Sequence, residues 1–544
     1  RNEQFQLIGI TDTAMLRPQV FALQEGELQV GLICSEKQAI DATLKSLQKE
    51  DPRFHPIADK YWNARGGSHT DGGAFIFSLK DKGDGSGNMA LTCTDKFGKV
   101  IVTAKDKIVC DTAKEIKSSS RECKAIKERL GEIFAEAEDD VAADRIFSYI
   151  HDAIGKFDAE GFRYAIDTIK SHALKNDDFR QTAIDALTLL YDRRYNTGSF
   201  KRSSVQHILK LALDEILASV PVITGNSASR FCQVDFASRA GLRAPQQNEK
   251  ILVINAEGFE PEGDNCDSLV IVKGYKLGWK RFIVYGCRGQ RFTGCGLGPD
   301  TKGVRIDVYG SSGDYLSSGI DGMEIYVHNN AQDQLCQIMK DGKLVVFGDV
   351  GQTFMYGAKG GSAFIMGNAA GRPLINAVGK PRVVINGTAL DYLAESFMAG
   401  DPLNGGGFVI LNGIGFDDND GSIKDLDTPY PGSNIFSLAS GGAIYVRDPH
   451  GKLVDEQLNG GEFAEIADAD WQLIQPYLEE NERLFGITVD RLLTVDGKTL
   501  SPKEVYRKIM PKKSTPAKKD DDGLTEHLSS SPGINEKQAA ATRS

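Results

Sequence analysis

Between Gly274 and Gly461 short apolar runs and glycines return at a nearly fixed interval, and this repeat restricts the possible folds more than any other feature of the chain. Runs begin at Val304 (VRIDV), Met323 (MEIYV), Leu344 (LVVF), Ala363 (AFIM) and Arg382 (RVVIN), at steps of 19, 21, 19 and 19 residues. A second ladder lies between them, at Asp314-Tyr315-Leu316, Asp333-Gln334-Leu335, Gln352-Thr353-Phe354, Arg372-Pro373-Leu374 and Asp391-Tyr392-Leu393, with steps of 19, 19, 20 and 19. Such a period implies a solenoid, because each unit can bury its apolar face only against the next. The units hold short strands and no helix-length apolar run, which favours a parallel β-helix over leucine-rich repeats. Gly286, Gly310, Gly348, Gly357, Gly367 and Gly387 stand at run ends, where positive φ or close contact between coils excludes a Cβ.

The passage GDVGQTFMYGAKGGSAFIMGNAAGRPLINAVGKPRVVINGTALDYLAESFMAGD (Gly348 to Asp401), with YGSSGDYLSSGIDGMEIYVH (Tyr309 to His328), resembles the C-terminal glycine-repeat domain of the glutamate synthase large subunit. The likeness runs from Pro221 to Gly461 and implies a right-handed parallel β-helix. A solenoid subunit of formylmethanofuran dehydrogenase is a relative of that domain, so the likeness specifies a fold better than a reaction.

The 544 residues predict two to four domains. With 64 basic and 75 acidic side chains the net charge is −11, which argues against nucleic acid or an anionic membrane as partner. Neither a membrane-length apolar run nor a signal peptide is visible, so a cytoplasmic protein is expected. The nine cysteines (Cys34, Cys93, Cys110, Cys123, Cys232, Cys266, Cys287, Cys295 and Cys336) are scattered, with no C-x-x-C pair to suggest a metal, cluster or disulfide framework. Because position 1 is Arg, the sequence is expected to start within a longer product.

Residues 1–110 read as β-rich, with a hairpin across Glu25-Gly26 and a strand at Ala74 to Ser78 ahead of a turn at 83–88. The stretch IGITDTAMLRPQVFALQEGELQVGLICSEKQAID, Ile8 to Asp41, resembles the closing part of a class II glutamine amidotransferase domain. In that family the nucleophile is an N-terminal cysteine whose own α-amine serves as base. Here position 1 is Arg, and Cys34 has no free amine, so a truncated amidotransferase-like domain without glutaminase chemistry is expected. The cluster Trp62 to Gly73 holds His69 and Asp71, which could form an acid/base pair, but it reads first as a glycine-rich turn before the strand at Ala74 to Ser78.

Residues 112–220 have few glycines and a 3.6-residue period, as in Ile126, Leu130, Ile133, Phe134 and Ile184, Leu187, Leu190, Tyr191. They predict an inserted module of four or five helices. Its His151, His172 and His207 are too far apart in sequence for a shared metal site. Residues 221–461 form the solenoid, where Gly294-Cys295-Gly296-Leu297-Gly298 turns the first coil and is no dinucleotide fingerprint, since Pro299-Asp300 follows. Asp314, Asp333 and Asp391 read as turn residues, not as the aligned carboxylates of a sugar-active site. Asp418-Asn419-Asp420-Gly421 has Phe416 where a calcium loop needs its first ligand, and Gly497-Lys498-Thr499 has Leu492 where a phosphate loop needs glycine. Residues 462–510 should be a helical cap, with Trp471, Ile474, Tyr477 and Leu478 on one face covering the last coil, and 511–544 a disordered tail.

The fold class expected is therefore mixed and multidomain: a parallel β-helix, a β-rich α+β N-terminal domain and an inserted α-helical module. No residue is assigned as catalytic, cofactor-binding or metal-ligating. The resemblance implies the non-flavin component of a glutamate synthase-like enzyme. It would scaffold the transfer of glutamine-derived ammonia to a separate subunit carrying FMN and an iron–sulfur cluster, within a hetero-oligomer. The alternative is a non-catalytic scaffold of another amidotransferase or of a formylmethanofuran dehydrogenase-like complex.

Overall fold

The computed structural model describes residues 19–24, 27–31, 75–81, 89–95, 100–103, 121–135, 141–224, 228–417 and 420–512. Near the N-terminus β1 (Gln19–Gln24), β2 (Glu27–Gly31), β3 (Phe75–Asp81), β4 (Met89–Asp95) and β5 (Val100–Thr103) pair antiparallel in sequence order. The expected hairpin is present, with Gln24 opposite Glu27. Residues 82–88, Cys34 and the Trp62 to Gly73 cluster with His69 and Asp71 lie outside the described residues.

The second sheet has twelve strands, mostly parallel, and does not close into a barrel. Its parallel part runs through β6 (Phe231–Val234), β7 (Ile251–Asn255), β8 (Arg281–Arg288), β9 (Arg305–Ser311), β10 (Asp321–Val327), β11 (Asp341–Val346), β12 (Ser362–Ile365), β13 (Arg382–Ile385) and β14 (Phe408–Leu411). A short antiparallel pair, β15 (Ile414–Phe416) and β16 (Ile423–Asp425), branches off before β17 (Ala443–Arg447) rejoins beside β14. The parallel order thus begins well before the periodic stretch, because units of unequal length still supply one strand each.

Register corrects the sequence ladder in detail. Ile306, Ile325, Leu344, Ala363, Val383, Val409 and Ile444 lie opposite one another in turn. Leu344 therefore faces Ile325 rather than Met323, which removes the odd step of 21. Both faces of these strands are buried. Ile306, Val308, Ile325, Val327, Leu344 and Val346 enter one core, while Val345, Phe364, Val384 and Ile410 of the following strands point into another.

The second ladder is not made of extended strands. Its residues alternate into the left-handed region, as at Tyr315, Ser317 and Gly319, then Gln334, Cys336 and Ile338, then Thr353, Met355 and Gly357. Hydrogen bonds leave these amides in both directions: Cys336 N–H donates back to Leu316 O at 2.9 Å, and Gln334 N–H donates forward to Gln352 O at 2.8 Å. Left-handed backbone is unfavourable by about 1–2 kcal/mol for a residue with a Cβ, so the bonds to neighbouring units must hold each one in place. The fourth unit of this ladder starts at Gly371, whose carbonyl accepts from Thr353 N–H, one residue before the expected Arg372.

Side chains lock the corners between these two walls. Asn330 Oδ1 accepts from Asp349 N at 2.8 Å, Asp349 Oδ1 from Asn368 N at 2.6 Å, and Asn368 Oδ1 from Thr388 N at 3.0 Å. Asp314, Asp333 and Asp391 do the same at the next corner, accepting from Asp333 N, Gln352 N and Ser433 N. Space at these corners is tight: a Cβ on Gly367 would lie 2.1 Å from Asp349 Oδ1 and 2.9 Å from Gly348 O.

Helical residues cover the outer face of the sheet at two places. The first group is α1 (Arg121–Ala135), α2 (Ala142–Ala153), α3 (Ala159–Lys175), α4 (Asp177–Asp192) and α5 (Arg202–Ala218). Asp158 caps α3 through Gly161 N, and Asn176 caps α4 through Asp178 N and Phe179 N. Their apolar stripes, including Ile126, Leu130, Ile184, Leu187 and Leu190, pack with Phe231, Ile251, Val253, Ile283 and Tyr285 of β6–β8. The short α6 (Asp267–Lys276) links β7 to β8 on the opposite, inner side.

Beyond β17 the chain forms β18 (Gly461–Ala464), α7 (Asp468–Phe485), α8 (Val489–Leu493), the hairpin β19 (Thr494–Val495) and β20 (Lys498–Thr499), α9 (Pro502–Val505) and β21 (Tyr506–Pro511). Here the expected helical cap is not what covers the last strand. β21 pairs antiparallel with both β17 and β18, while α7 lies along the outer face, where Ile474 and Leu478 share one core with Phe408 and Val384. No helix among the described residues is long and apolar enough to cross a membrane.

The corner geometry predicts opposite outcomes for two glycines. Gly367→Ala should destabilise the protein by several kcal/mol through overpacking against backbone and Asp349, by an amount on the order of the 1–3 kcal/mol seen for overpacked cores or more. Gly131→Ala in α1, where an added Cβ meets nothing within 4 Å, should stabilise it by about 0.5–1 kcal/mol. Denaturant midpoints of the two variants decide; equal midpoints would contradict the corner packing.

Candidate functional site

Parallel register stacks the residue that follows each strand's last inward position into one file on the outer face. The file reads Tyr309, His328, Phe347, Met366, Asn386 and Asn412. Its aromatic members stack: Tyr309 and His328 have ring centroids 4.3 Å apart at 20°, and His328 and Phe347 5.3 Å apart at 15°. Polar residues buried in such a file need partners, and the covering helices supply them.

His328 is only 3% exposed and bonds with both ring nitrogens. Nδ1 is 2.7 Å from Asp192 Oδ2 at the end of α4, and Nε2 is 3.1 Å from Asp307 Oδ1 in β9. Between two carboxylates the ring satisfies both partners when it donates from both nitrogens, as an imidazolium. Burial opposes the charge, but Asp192 and Asp307 outweigh it and raise His328 to about 9. Burial likewise would raise Asp307, yet Arg281, Arg305 and His328 hold it well below the usual carboxylate range. Arg305 donates to it through Nε at 3.1 Å and Nη2 at 2.9 Å, and Arg281 forms a second ion pair. Burial pushes the Asp192 carboxyl up while His328 pulls it down. Thr188 of α4 meets Tyr309 Oη at 2.6 Å beside this cluster.

Further along the file the charges give way to amides. Asn386 Nδ2 donates to Asn481 Oδ1 of α7 at 2.8 Å, and Asn481 Nδ2 returns a bond to Asn386 Oδ1 at 3.0 Å. Asn412 Nδ2 also donates to Asn386 Oδ1, and Tyr506 Oη of β21 donates to Asn412 Oδ1 at 2.9 Å. One strand on, Tyr445 Oη and Lys508 Nζ both donate to the buried Asp470 Oδ1, at 2.6 and 2.7 Å. This polar file is closed to solvent and both nitrogens of its histidine are engaged. Its chemistry is therefore attachment: it fixes the helical residues and the C-terminal elements to the sheet in one register.

Sequence reasoning did not find these residues, although Asp307 in VRIDV and the His328 that ends EIYVH are polar interruptions of apolar runs. The histidines it did consider are not brought together. His151 is exposed and lies 2.8 Å from Asp152, whereas His172 stacks on Phe134 at 4.6 Å and burial lowers its pKa. Gly497 follows Asp496 in a tight two-residue turn with both φ positive, joining β19 to β20. Asp420 accepts from Ser422 N within the β15–β16 turn; Asp418 and Asn419 lie outside the described residues. Gly294, Gly296 and Gly298, with Phe292, are the first left-handed alternation of the second ladder. Cys123, Cys232, Cys266, Cys287 and Cys336 are buried, and Cys295 is half-buried.

Two comparisons with known proteins bear on this architecture. Residues 282–512 match the family described as GXGXG motif, a domain found in the C-terminal region of the glutamate synthase large subunit. An uncharacterized protein of Methanocaldococcus jannaschii is 31% identical over 238 residues, covering 43% of this chain and 82% of the relative.

The His328 cluster sets a pH dependence. Its folded pKa lies above the ordinary value of 6.5, so its stabilisation is complete below about pH 6.5, declines as pH rises and is gone above about 9. Melting temperature measured from pH 6 to pH 10 should fall in the parent and lose this slope in His328→Phe. Asp192→Ala, which strands a buried imidazolium, should lower stability by about 3–5 kcal/mol near neutral pH; a neutral result would show that the cluster attaches nothing.

Proposed function

This chain belongs to the GXGXG-motif family, and from that premise we propose that it is the scaffold component of a glutamate synthase-type enzyme. In this reading the twelve-stranded sheet and the left-handed ladder are walls of one right-handed parallel β-helix. The N-terminal antiparallel sheet is the closing part of an amidotransferase-like domain. The observation that carries the reading is the GXGXG match over 282–512, a stretch that includes the units repeating at 19 to 20 residues.

Among the described residues no group of three or more His, Cys, Asp or Glu side chains could hold a metal ion. In this reading FMN and the iron–sulfur cluster belong to a partner subunit in the cytoplasm, as the glutamate synthase likeness implies, and this chain carries no reaction step.

What this chain would contribute is rigidity. Ammonia released to bulk water is protonated and diluted, so transfer between separate centres depends on walls that stay closed. A solenoid in which every unit is hydrogen-bonded to both neighbours offers such a wall with little loop. Its outer file adds a means of holding flanking modules at fixed positions.

Purification of the chain from its native source, with a visible spectrum and subunit masses of what accompanies it, tests the proposal. A yellow-brown complex with a flavin and iron–sulfur subunit that makes glutamate from glutamine is the expected result. A colourless single species, or a molybdopterin-bearing partner, would overturn it.

A further inference from the structure

The third left-handed position of each unit forms a file on the surface of the second ladder. Amide-to-carbonyl bonds stack Gly319, Ile338, Gly357, Asn376, Ser396 and Leu438 in it, all at positive φ. Its side chains point outward: a Cβ on Gly319 would meet nothing within 4 Å, and one on Gly357 would lie 3.8 Å from Ile338 Cγ1. Glycine and asparagine suit this backbone, whereas a bulky apolar side chain does not, and a β-branched one least of all. Yet Ile338 is 44% exposed and Leu438 81% exposed. Neither backbone preference nor burial within this chain explains them.

Two residues further along the chain, the adjoining file reads Asp321, Lys340, Lys359, Val378, Met398 and Ser440. It is basic at Lys340 and Lys359, then apolar at the half-buried Val378 and at Met398, which is 49% exposed. Lys380 stands beside the lysines, since a Cβ on Gly360 would lie 2.4 Å from Lys340 O and 3.5 Å from Lys380 Cγ. All three lysines are exposed. Asp321, 3.8 Å from Lys340 Nζ, and the exposed Asp341 in register with it offset part of this charge. Lys359 and Lys380 form no ion pair among the described residues. Asp401, beyond the apolar end, is engaged locally with Leu403 N–H and Asn404 Nδ2. In a chain of net charge −11, this edge is a basic strip that runs into an apolar one.

We propose that this edge docks a protein partner whose surface is apolar opposite Val378, Met398 and Leu438 and acidic opposite Lys340, Lys359 and Lys380. Four steps of one unit separate Ile338 from Leu438, about 19 Å at the spacing of neighbouring strands, which lies within one interface of ordinary size. Apolar side chains held outward by unfavourable backbone are stabilised once a partner removes them from water, and the lysines orient that partner through its carboxylates. A nucleic acid or other polyanion would use the lysines and leave Met398 and Leu438 in water, so a protein fits both halves of the edge. The inference does not depend on the glutamate synthase reading, since any protein of this surface chemistry would fit.

The test places photoreactive benzoylphenylalanine at Leu438, at Lys359 and, as a control, at the exposed Gln472 of α7, in the full chain within its native source. Crosslinked peptides are then identified by mass. The expected result is one protein crosslinked from positions 438 and 359 but not from 472, with Asp or Glu in the segment that reaches position 359. Its affinity for the purified chain should fall about tenfold or more in Leu438→Asn and in the double variant Lys359→Glu, Lys380→Glu, and the lysine effect should vanish near 1 M salt. Because asparagine suits positive φ, Leu438→Asn should melt at the parent's temperature or above it. A lower melting temperature would show that Leu438 serves the chain's own packing and would overturn the proposal. Crosslinks to nucleic acid, to a second copy, to residues 513–544 of the same chain, to different proteins from the two positions, or to nothing would also overturn it. A partner without flavin crosslinked at this edge would sustain this inference and sink the glutamate synthase reading; a co-purifying flavin subunit that never crosslinks here would do the reverse.

Discussion

Backbone hydrogen bonding between successive units is the interaction on which this structure rests. No unit of the repeat satisfies its own main chain. The strands donate sideways along the sheet, and the left-handed segments donate alternately to the unit before and the unit after. A conformation that is unfavourable for Gln334, Met355 or Leu374 in isolation becomes the only one that leaves no amide unpaired. The fold is therefore cooperative along its length, and a register slip at one unit would displace the sheet and the left-handed ladder together.

Corner side chains convert that general demand into a unique register. Asn330, Asp349 and Asn368 each accept from the amide 19 or 20 residues onward, so the unit length is fixed by a short polar side chain rather than by loop chemistry. Where the side-chain ladder stops, unit length relaxes: the step from Val383 to Val409 and then to Ile444 is longer, and the β15–β16 hairpin occupies the slack.

The outer face shows how a repeating parallel sheet can carry other modules. Stacking repeats one residue position down the sheet, so a polar residue there meets its neighbours in line, and a helix laid across them can engage several units at once. The His328 cluster does this with charge and the Asn386, Asn412 and Asn481 cluster with neutral amides. The difference matters physically, because a buried imidazolium needs two anions whereas an amide group satisfies itself reciprocally. Thr188 and Asp192 come from α4, and Asn481 comes from α7, elements nearly 300 residues apart in sequence.

The sequence by itself determined the repeat, its parallel strands and the helical character of the segment around Ile126 to Leu217, because period and apolar spacing are local properties. It also placed Asp314, Asp333 and Asp391 at turns. Only the tertiary structure decided that the second ladder is left-handed rather than extended, since Tyr315 and Gln334 carry no local preference for positive φ and adopt it through bonds to other units. The same holds for β21, which takes the place next to β17 that an amphipathic pattern suggested for a helix. Asp192, Asp307 and His328 are unremarkable residues far apart in the chain, and their partnership exists only where helix and sheet meet.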